Sequence, residues 1–287
     1  MVFDFAKWCI NDRCNLSCPF CCMDNTYEEL SFAHKCRVID KLFGMGVSHI
    51  DFFGKEVLVD DEFFRLWDYI YKENYPFTLS FITNGVNLTK YKEDILTRAI
   101  KYGNLSQMAV SYDFGTSRTY NVSTDVLKPF IEAGIFTEFS IDLQEDNVDL
   151  IPDFIQQGHS NSVYIKPIIP HGLRSDYAKS VMVTRQNLNN LIITLNGVIL
   201  NSFVTVSLPF IIPSKSMPKS TNGKLRITND DKCLCGDTLF ITSDGNVYGC
   251  GDVALTRSER FCSFLETPAE EIHKHICKQG RKRECIV

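Results

Sequence analysis

The feature that most constrains the fold is a regular alternation of short apolar segments with longer amphipathic segments. Apolar runs such as 77–82 and 105–112 end in small polar residues, and a segment with helical periodicity follows each of them. Roughly six such units fit between residues 2 and 212. This alternation predicts a parallel sheet with right-handed crossovers, and six units favour a partial (β/α)6 TIM-like barrel over an open sheet. Functional residues are then expected at the carboxyl ends of the strands.

A change in composition ends this pattern. Residues 213–232 are rich in Ser, Pro, Lys and Asn, which is typical of a linker. Residues 239–250 have the pattern of a β-hairpin with Asp244-Gly245 in its turn, and residues 268–278 have the pattern of a helix. We therefore predict a barrel over residues 1–212, a linker over 213–232 and a small hairpin-plus-helix module over 233–287.

The twelve cysteines form two terminal groups, one within residues 9–36 and one within 233–285. The first residues lack the regions of a secretory signal, so we expect a cytoplasmic protein whose clustered thiols serve metal or redox chemistry rather than disulfides. A net charge of −5 gives no reason to expect nucleic acid. No apolar stretch is long enough for a spanning helix, so a membrane is not an expected partner either.

The first group contains the spacing C-x3-C-x2-C, formed by Cys14, Cys18 and Cys21 after the first predicted strand. Three thiolates on one tight loop can bind three irons of a cubane cluster and leave the fourth iron open for an outside ligand. Zinc is the alternative, although structural zinc sites usually need four protein ligands. Cys9 and Cys36 lie on a predicted strand and a predicted helix, where we expect them to be buried small hydrophobic residues.

This spacing, together with an aromatic residue before the third cysteine, resembles the radical SAM superfamily. The resemblance implies a partial barrel of six strand–helix units and a [4Fe–4S] cluster held by Cys14, Cys18 and Cys21, with Phe20 near the adenine of S-adenosylmethionine (SAM). It further implies that the reduced cluster cleaves SAM to a 5′-deoxyadenosyl radical, which abstracts hydrogen from a substrate C–H bond. An external one-electron reductant such as flavodoxin or ferredoxin would then be a partner.

Segments after later strands resemble SAM-binding motifs of the same superfamily. Residues 54–57 (GKEV) match a Gly-Gly-Glu-Pro motif at the first Gly and at the Glu. Lys55 departs from it, because a side chain projects where the backbone should approach the ligand; a solvated surface charge is the alternative. Residues 83–85 (TNG) resemble the end of the third strand in the family. The residues implied as cofactor-binding are Phe20, Gly54, Lys55, Glu56, Thr83, Asn84, Ser111 and Asp113.

The second cysteine group resembles the hairpin that opens the Twitch and SPASM extensions of radical SAM enzymes. Cys235, Gly245 and Cys250 give the spacing C-x9-G-x4-C, and the two hairpin arms would bring two thiolates to one cluster. The later cysteine run typical of SPASM is absent from the sequence, so the resemblance favours Twitch with a second, auxiliary [4Fe–4S] cluster. Zinc is the alternative. By analogy, the ligands would be Cys235, Cys250, Cys277 and Cys285, with Cys233 and Cys262 in reserve.

The sequence leaves two reaction outcomes open. An auxiliary cluster would accept an electron while a base such as Asp142 takes a proton, which gives dehydrogenation; alternatively, a cysteine not bound to iron, such as Cys22 or Cys262, would return hydrogen and give an epimer. Cys14 lies close to the first residue, so no leader-binding module is expected, which favours a small polar natural-product intermediate as the substrate. Maturation of a short precursor peptide is the alternative, and a non-enzymatic zinc-binding module is the least favoured.

Overall fold

The computed structural model describes residues 3–21, 23, 28–115, 120, 122–168, 175–208, 219–229, 238–249 and 262–280. The strands in these residues are β1 (Phe5–Cys9), β2 (His49–Phe53), β3 (Thr78–Thr83), β4 (Leu105–Tyr112), β5 (Thr137–Leu143), β6 (Ser162–Pro167), β7 (Phe203–Leu208), β8 (Leu225–Asn229), β9 (Leu239–Ile241), β10 (Asn246–Tyr248) and β11 (Cys262–Ser263). The helices are α1 (Phe32–Gly44), α2 (Glu62–Lys72), α3 (Leu88–Tyr102), α4 (Lys128–Glu132), α5 (Ile151–Gln157), α6 (Ser175–Val181), α7 (Arg185–Gly197) and α8 (Ala269–Gly280).

All described strands belong to one sheet in the order β11-β10-β9-β1-β2-β3-β4-β5-β6-β7-β8. Strands β1 to β8 pair with their neighbours in parallel, as strand–helix alternation requires. The predicted α/β fold of the partial-barrel type is therefore confirmed. The sheet does not close, and β11 and β8 are its edges in the described part of the chain.

The two faces of the sheet differ in chemistry because side chains alternate along each strand. Trp8, Phe52 and Phe81 lie side by side on β1, β2 and β3 and are buried. The ring of Phe63 on α2 lies 5.3 Å from that of Phe52 and 5.0 Å from that of Phe81. This helix-covered face, which we call the outer face, buries the aromatic area that stabilises the barrel. The alternate positions, Lys7, Asp51, Ser80, Glu138 and Asp142 among them, form the opposite, inner face.

Helix α1 ties the start of the barrel to the end of the chain. Ser31 caps it by accepting a hydrogen bond from the backbone N–H of His34 at 3.3 Å. On the same helix, Lys41 donates to the backbone carbonyls of Phe264 and Thr267. Its ammonium also lies 4.9 Å from the ring centre of Phe264. The segment that leads into α8 is thereby fixed to the outside of the barrel.

The range predicted as a linker, residues 213–232, contains a strand in its described part. Residues 225–229 form β8, which pairs in parallel with β7. The turn before β8 is held by Asn196, whose side-chain oxygen accepts from the backbone N–H of Thr221 at 2.6 Å. Apolar residues at 225 and 227 alternate with polar ones, as in a short strand. The surrounding Ser, Pro and Lys residues obscured this pattern. The remaining residues of that range lie outside the described part.

The predicted C-terminal hairpin is confirmed. Strands β9 and β10 pair antiparallel around a turn in which Gly245 has φ of +77°, a conformation that favours glycine. Strand β9 also pairs in parallel with β1, so the hairpin extends the sheet of the barrel. The predicted helix over 268–278 is present as α8. The division of the chain into barrel, linker and module stays a prediction, and none of the described helices is long and apolar enough to cross a membrane.

Candidate functional site

The loop after β1 carries the three cysteines of the first motif. Cys14, Cys18 and Cys21 are all partly exposed. The backbone N–H of Cys21 donates to the carbonyl of Cys18 at 3.2 Å, which makes the end of the loop a tight turn. In the described residues no three His, Cys, Asp or Glu side chains converge as a site for one metal ion. A cubane cluster makes a different demand, because each thiolate binds a separate iron.

Two hydrogen-bond donors surround the thiol of Cys14. The backbone N–H of Leu16 lies 3.3 Å from its Sγ, and the side-chain nitrogen of Asn84 lies 3.7 Å from it. Burial raises the pKa of Cys14, and the hydrogen bonds from Leu16 and Asn84 act in the opposite direction. Donors placed at sulfur are the outer contacts that stabilise a metal-bound thiolate.

Glu56 joins the ends of β2 and β3. It is 1% exposed, and each of its carboxylate oxygens accepts hydrogen bonds. One oxygen accepts from the hydroxyl of Thr83 at 2.6 Å and from the backbone N–H of Leu58 at 2.8 Å. The other accepts from the backbone N–H of Asn84 at 2.7 Å. The two motifs that the sequence shows separately, at 54–57 and 83–85, therefore form one hydrogen-bonded unit.

Asn11, which the sequence analysis missed, fixes the start of the cysteine loop. Its side-chain nitrogen donates to the carbonyl of Glu56 at 3.0 Å, and its side-chain oxygen accepts from the N–H of Arg13 at 3.1 Å. The N–H of Glu56 donates in turn to the carbonyl of Arg13 at 3.1 Å. The signal available in the sequence was a polar residue directly after a predicted strand, and the structure shows that this residue is buried. These three bonds hold the cysteine loop against the end of β2.

A group of charged residues supports the cysteine loop from its other side. Arg13 forms an ion pair with Glu29 at 2.9 Å and another with Asp60. Lys35, whose side chain is 1% exposed, pairs with Glu62 and lies 3.5 Å from Glu29. Burial acts to raise the pKa of Glu29, but the hydrogen bonds from Arg13 and the backbone of Asp12, together with the nearby charges of Lys35 and Arg13, outweigh burial and lower that pKa. A buried ammonium needs such partners, so this group anchors the residue just before Cys14.

The segment after β2 combines a close backbone contact with a buried charge. Gly54 has φ of +148°, and a Cβ there would lie 3.0 Å from the carbonyl of Asn11 and 3.2 Å from the Sγ of Cys9. Only glycine fits this position without strain. The ammonium nitrogen of Lys55 is buried and has no hydrogen-bond partner among the described residues.

The other predicted cofactor-binding residues lie toward the same edge of the sheet. Ser111 and Asp113 are at the end of β4, with Ser111 paired in register with Ser140. Asp113 is fully buried and accepts a hydrogen bond from the N–H of Gly115 at 3.1 Å. Phe20 is partly exposed on the cysteine loop. The structure therefore brings the predicted cofactor-binding residues and the three cysteines of the loop to the carboxyl edge of the sheet.

Asp142 lies on the inner face near the end of β5. It forms an ion pair of 3.2 Å with Lys166, its partner in register on β6, whose side chain is 47% exposed. Sequence reasoning missed Lys166, which has no motif of its own. Glu138 lies four residues before Asp142 on the same face, and its carboxylate accepts from the hydroxyl of Ser162 at 3.0 Å. Burial raises the pKa of Glu138.

The remaining cysteines divide by location. Cys9 is fully buried, as predicted, whereas Cys36 is partly exposed and packs against the hydrophobic core. Cys262 on β11 also packs against this core, beside Lys41 and Thr267, so the structure does not bring it to the carboxyl edge. Burial raises its pKa. The described residues do not include Cys22, Cys233, Cys235, Cys250 and Cys285, nor the side chain of Cys277.

An open, mostly parallel sheet carries the three-cysteine loop at its carboxyl edge, and comparison with known families finds a similarity in this part of the chain. A family model described as the radical SAM superfamily matches residues 8–129. That range spans the cysteine loop, the Glu56 unit and Asp113, so the similarity to this family covers the residues that form the carboxyl edge. No curated protein sequence matches the chain.

Solved structures with the same fold include two proteins crystallised with bound peptides. Streptococcus suis SuiB bound to the precursor peptide SuiA is 12% identical, with a TM-score of 0.70 over 98% of this chain and 66% of SuiB. The anSMEcpe protein with bound AdoMet and Cp18Cys peptide is 16% identical, with a TM-score of 0.68 over 98% of this chain and 84% of that one. The present chain thus spans just under two thirds of SuiB, and at these identities the likeness shows the fold alone.

Proposed function

We propose that this protein is a radical SAM enzyme that modifies a short peptide. The observation that carries the proposal is the joining of the cysteine loop to the ends of β2 and β3 through Asn11, Glu56 and Asn84. These contacts hold three thiols at the carboxyl edge, where parallel barrels place their active sites. The polar inner face opens from this edge toward Asp142 and Lys166.

The residues of this edge fit a [4Fe–4S] cluster and SAM. Cys14, Cys18 and Cys21 would hold the cluster, and Gly54 lets the end of β2 pack closely against the carbonyl of Asn11 at the start of their loop. When bound, the cluster and SAM supply a 5′-deoxyadenosyl radical that takes hydrogen from the substrate. The chain's own part is to hold the thiols, to donate hydrogen bonds to the Sγ of Cys14, and to fix the loop through Arg13.

A peptide is proposed as the substrate in preference to the small molecule that the sequence favours. The inner face offers both acceptors and donors, since Asp142 and Asp51 lie there with Lys166 and Lys7. A peptide backbone presents an N–H and a C=O at each residue and can use both kinds of group. The peptides bound by SuiB and anSMEcpe support this choice by analogy of fold. A polar small molecule is the competing substrate class.

We further propose a Twitch-type second cluster at the C-terminal hairpin, with Cys235, Cys250, Cys277 and Cys285 as ligands. The hairpin and its Asp244-Gly245 turn support the proposal, because they match the element on which the motif depends. With two cubane clusters, anaerobic reconstitution should give about eight irons per chain. Replacing Cys235 and Cys250 with Ala should reduce this to about four and leave SAM cleavage in place. Zinc in the purified protein would contradict the second cluster.

For the fate of the substrate radical we propose Asp142 as the base of an oxidation. Its carboxylate lies 3.2 Å from the ammonium of Lys166, on the face that would receive substrate. Cys262 packs against the core beside Lys41, which is a poor position for a hydrogen donor. Cys22 would be the donor for an epimerisation. In D₂O, epimerisation would place solvent deuterium on carbon and oxidation would not.

The reconstituted protein tests the central proposal directly. With dithionite, or with a flavodoxin or ferredoxin as the proposed cytoplasmic reductant, it should convert SAM to 5′-deoxyadenosine. A short peptide encoded beside this gene should increase the rate and change in mass by a modification on one residue. Absence of 5′-deoxyadenosine from cluster-loaded protein would refute the proposal. Stimulation by small polyols, with none by any peptide, would show that the substrate is a polar small molecule and not a peptide.

A further inference from the structure

We propose that the Lys55 side chain binds the carboxylate of the methionyl part of SAM, an inference that rests on the proposed function. The starting observation is an ammonium nitrogen that is buried and lacks a hydrogen-bond partner among the described residues. Taking an ammonium out of water without an acceptor is strongly unfavourable. An anion is therefore expected at this nitrogen in the working state of the protein.

The acid next to Lys55 does not supply that anion. Both oxygens of Glu56 already accept hydrogen bonds, from the hydroxyl of Thr83 and the backbone N–H groups of Leu58 and Asn84, at 2.6–2.8 Å. These bonds tie the carboxylate into the join between β2 and β3. A neighbouring carboxylate that is free to move would pair with a lysine; this one is held by three donors.

The cluster sulfurs are a weaker match than a carboxylate. Sulfur is a poor acceptor, whereas an ammonium and a carboxylate form a short, charge-assisted hydrogen bond. The Sγ of Cys14 already has donors in the N–H of Leu16 and the side chain of Asn84. The concentrated negative charge that SAM brings to this edge is its carboxylate, and Lys55 directly follows Gly54, which packs against the carbonyl of Asn11 at the start of the cysteine loop.

This assignment also accounts for the departure of residues 54–57 from the Gly-Gly-Glu-Pro motif. A glycine at position 55 offers SAM its backbone only, whereas the lysine here adds a cation at the same edge. The change therefore exchanges backbone contact for a charged contact. It predicts that the carboxylate contributes more to SAM affinity in this protein than in a variant that restores glycine.

The test compares SAM with decarboxylated SAM, which keeps the amine and the sulfonium. Dissociation constants are measured by anaerobic equilibrium dialysis on reconstituted wild type, K55M, K55G and K55R. We expect K55M and K55G to weaken SAM binding by about 10- to 100-fold, as loss of a charged hydrogen bond would do. Binding of decarboxylated SAM should change little, and K55R should retain most of the SAM affinity. K72M, at an exposed lysine on α2, is the control and should match wild type.

The other outcomes contradict either the assignment of Lys55 or the proposed function. Equal weakening of both ligands in K55M, or unchanged SAM affinity in both K55M and K55G, overturns the assignment. If the midpoint potential of the cluster, measured by EPR titration without SAM, shifts in K55M, then Lys55 acts on the cluster. That result would also overturn the assignment. Wild-type protein that carries its cluster and binds no SAM would refute the proposed function itself. Iron content and circular dichroism show that the variants are folded and loaded.

Discussion

Polar groups at the carboxyl edge and in the middle of the inner face are stabilised in different ways, although the same strands build both regions. At the edge, the Glu56 carboxylate receives neutral donors, two backbone N–H groups and one hydroxyl. In the middle of the face, charges meet charges: Lys7 lies 3.1 Å from Asp51, which also accepts from Ser80 at 2.7 Å.

The difference separates a rigid region from a responsive one. Backbone donors cannot leave Glu56 without unravelling the strand ends, so the edge keeps its geometry whether or not a group is bound. Lysine and carboxylate side chains can change partners at low cost when exposed. We therefore expect changes at the edge to abolish function or weaken the fold, and changes in the middle of the face to alter pH dependence.

The largest effect is expected from removing a thiol at the edge. C18A should lose the first cluster and reduce 5′-deoxyadenosine formation by at least about 100-fold, because two thiolates cannot hold the cubane. The control is C36A, since Cys36 packs against the core away from the loop and its loss should leave cleavage intact. Iron analysis and product quantification by chromatography measure both variants. Full activity in C18A would remove the functional distinction of the edge.

The next largest effect is expected at Glu56. E56Q keeps the shape of the side chain but places an amide NH₂ where Thr83, Leu58 or Asn84 donates, so a buried donor faces another donor. Such a mismatch costs about 1–3 kcal/mol of stability and should lower SAM affinity by roughly 10-fold or more. E132Q, at an exposed glutamate on α4, is the matched control. A thermal melt of E56Q equal to that of E132Q would show that the edge is less rigid than its bonds indicate.

Sequence reasoning identified contiguous motifs far better than contacts between strands. The cysteine spacing and residues 83–85 are contiguous patterns, so they can be seen without knowing the fold. The role of Asn11 and the pairing of Lys166 with Asp142 depend on strand register, which joins residues distant in the chain. Strand β8 was missed because two apolar residues among polar ones are a weak signal.

A smaller effect is expected where the C-terminal hairpin touches the segment after the cysteine loop. A Cβ at Gly245 would lie 3.1 Å from a methyl carbon of Leu30, whereas a Cβ at Gly134 would meet nothing within 4 Å. Both glycines have positive φ, +77° and +78°, so G245A and G134A share the backbone strain. Crowding against Leu30 should cost G245A about 1 kcal/mol more, seen as a melting temperature about 2–4 °C below that of G134A. Equal melting temperatures would show that the hairpin contact is loose.

The smallest effect, a pH dependence, is expected from Glu138 on the inner face. Burial raises its pKa in the folded protein above the ordinary value, and nearby Asp51 acts in the same direction while Ser162 and Lys7 oppose it. Between the unfolded and the folded pKa the native state therefore binds more protons, so this group makes stability fall as pH rises through that window. E138Q cannot ionise. Its melting temperature minus that of wild type should therefore be more positive at about pH 8 than at about pH 5.

The control for this difference is E132Q, whose exposed side chain should give the same offset from wild type at both pH values. His49 also titrates with a pKa lowered by burial, but wild type and E138Q share it, so its contribution cancels in the difference. A more negative offset for E138Q at high pH would mean that the ionised carboxylate is stabilised in the folded state. Glu138 would then be held by fixed partners as Glu56 is, and the contrast between the edge and the middle of the face would fail at its clearest point.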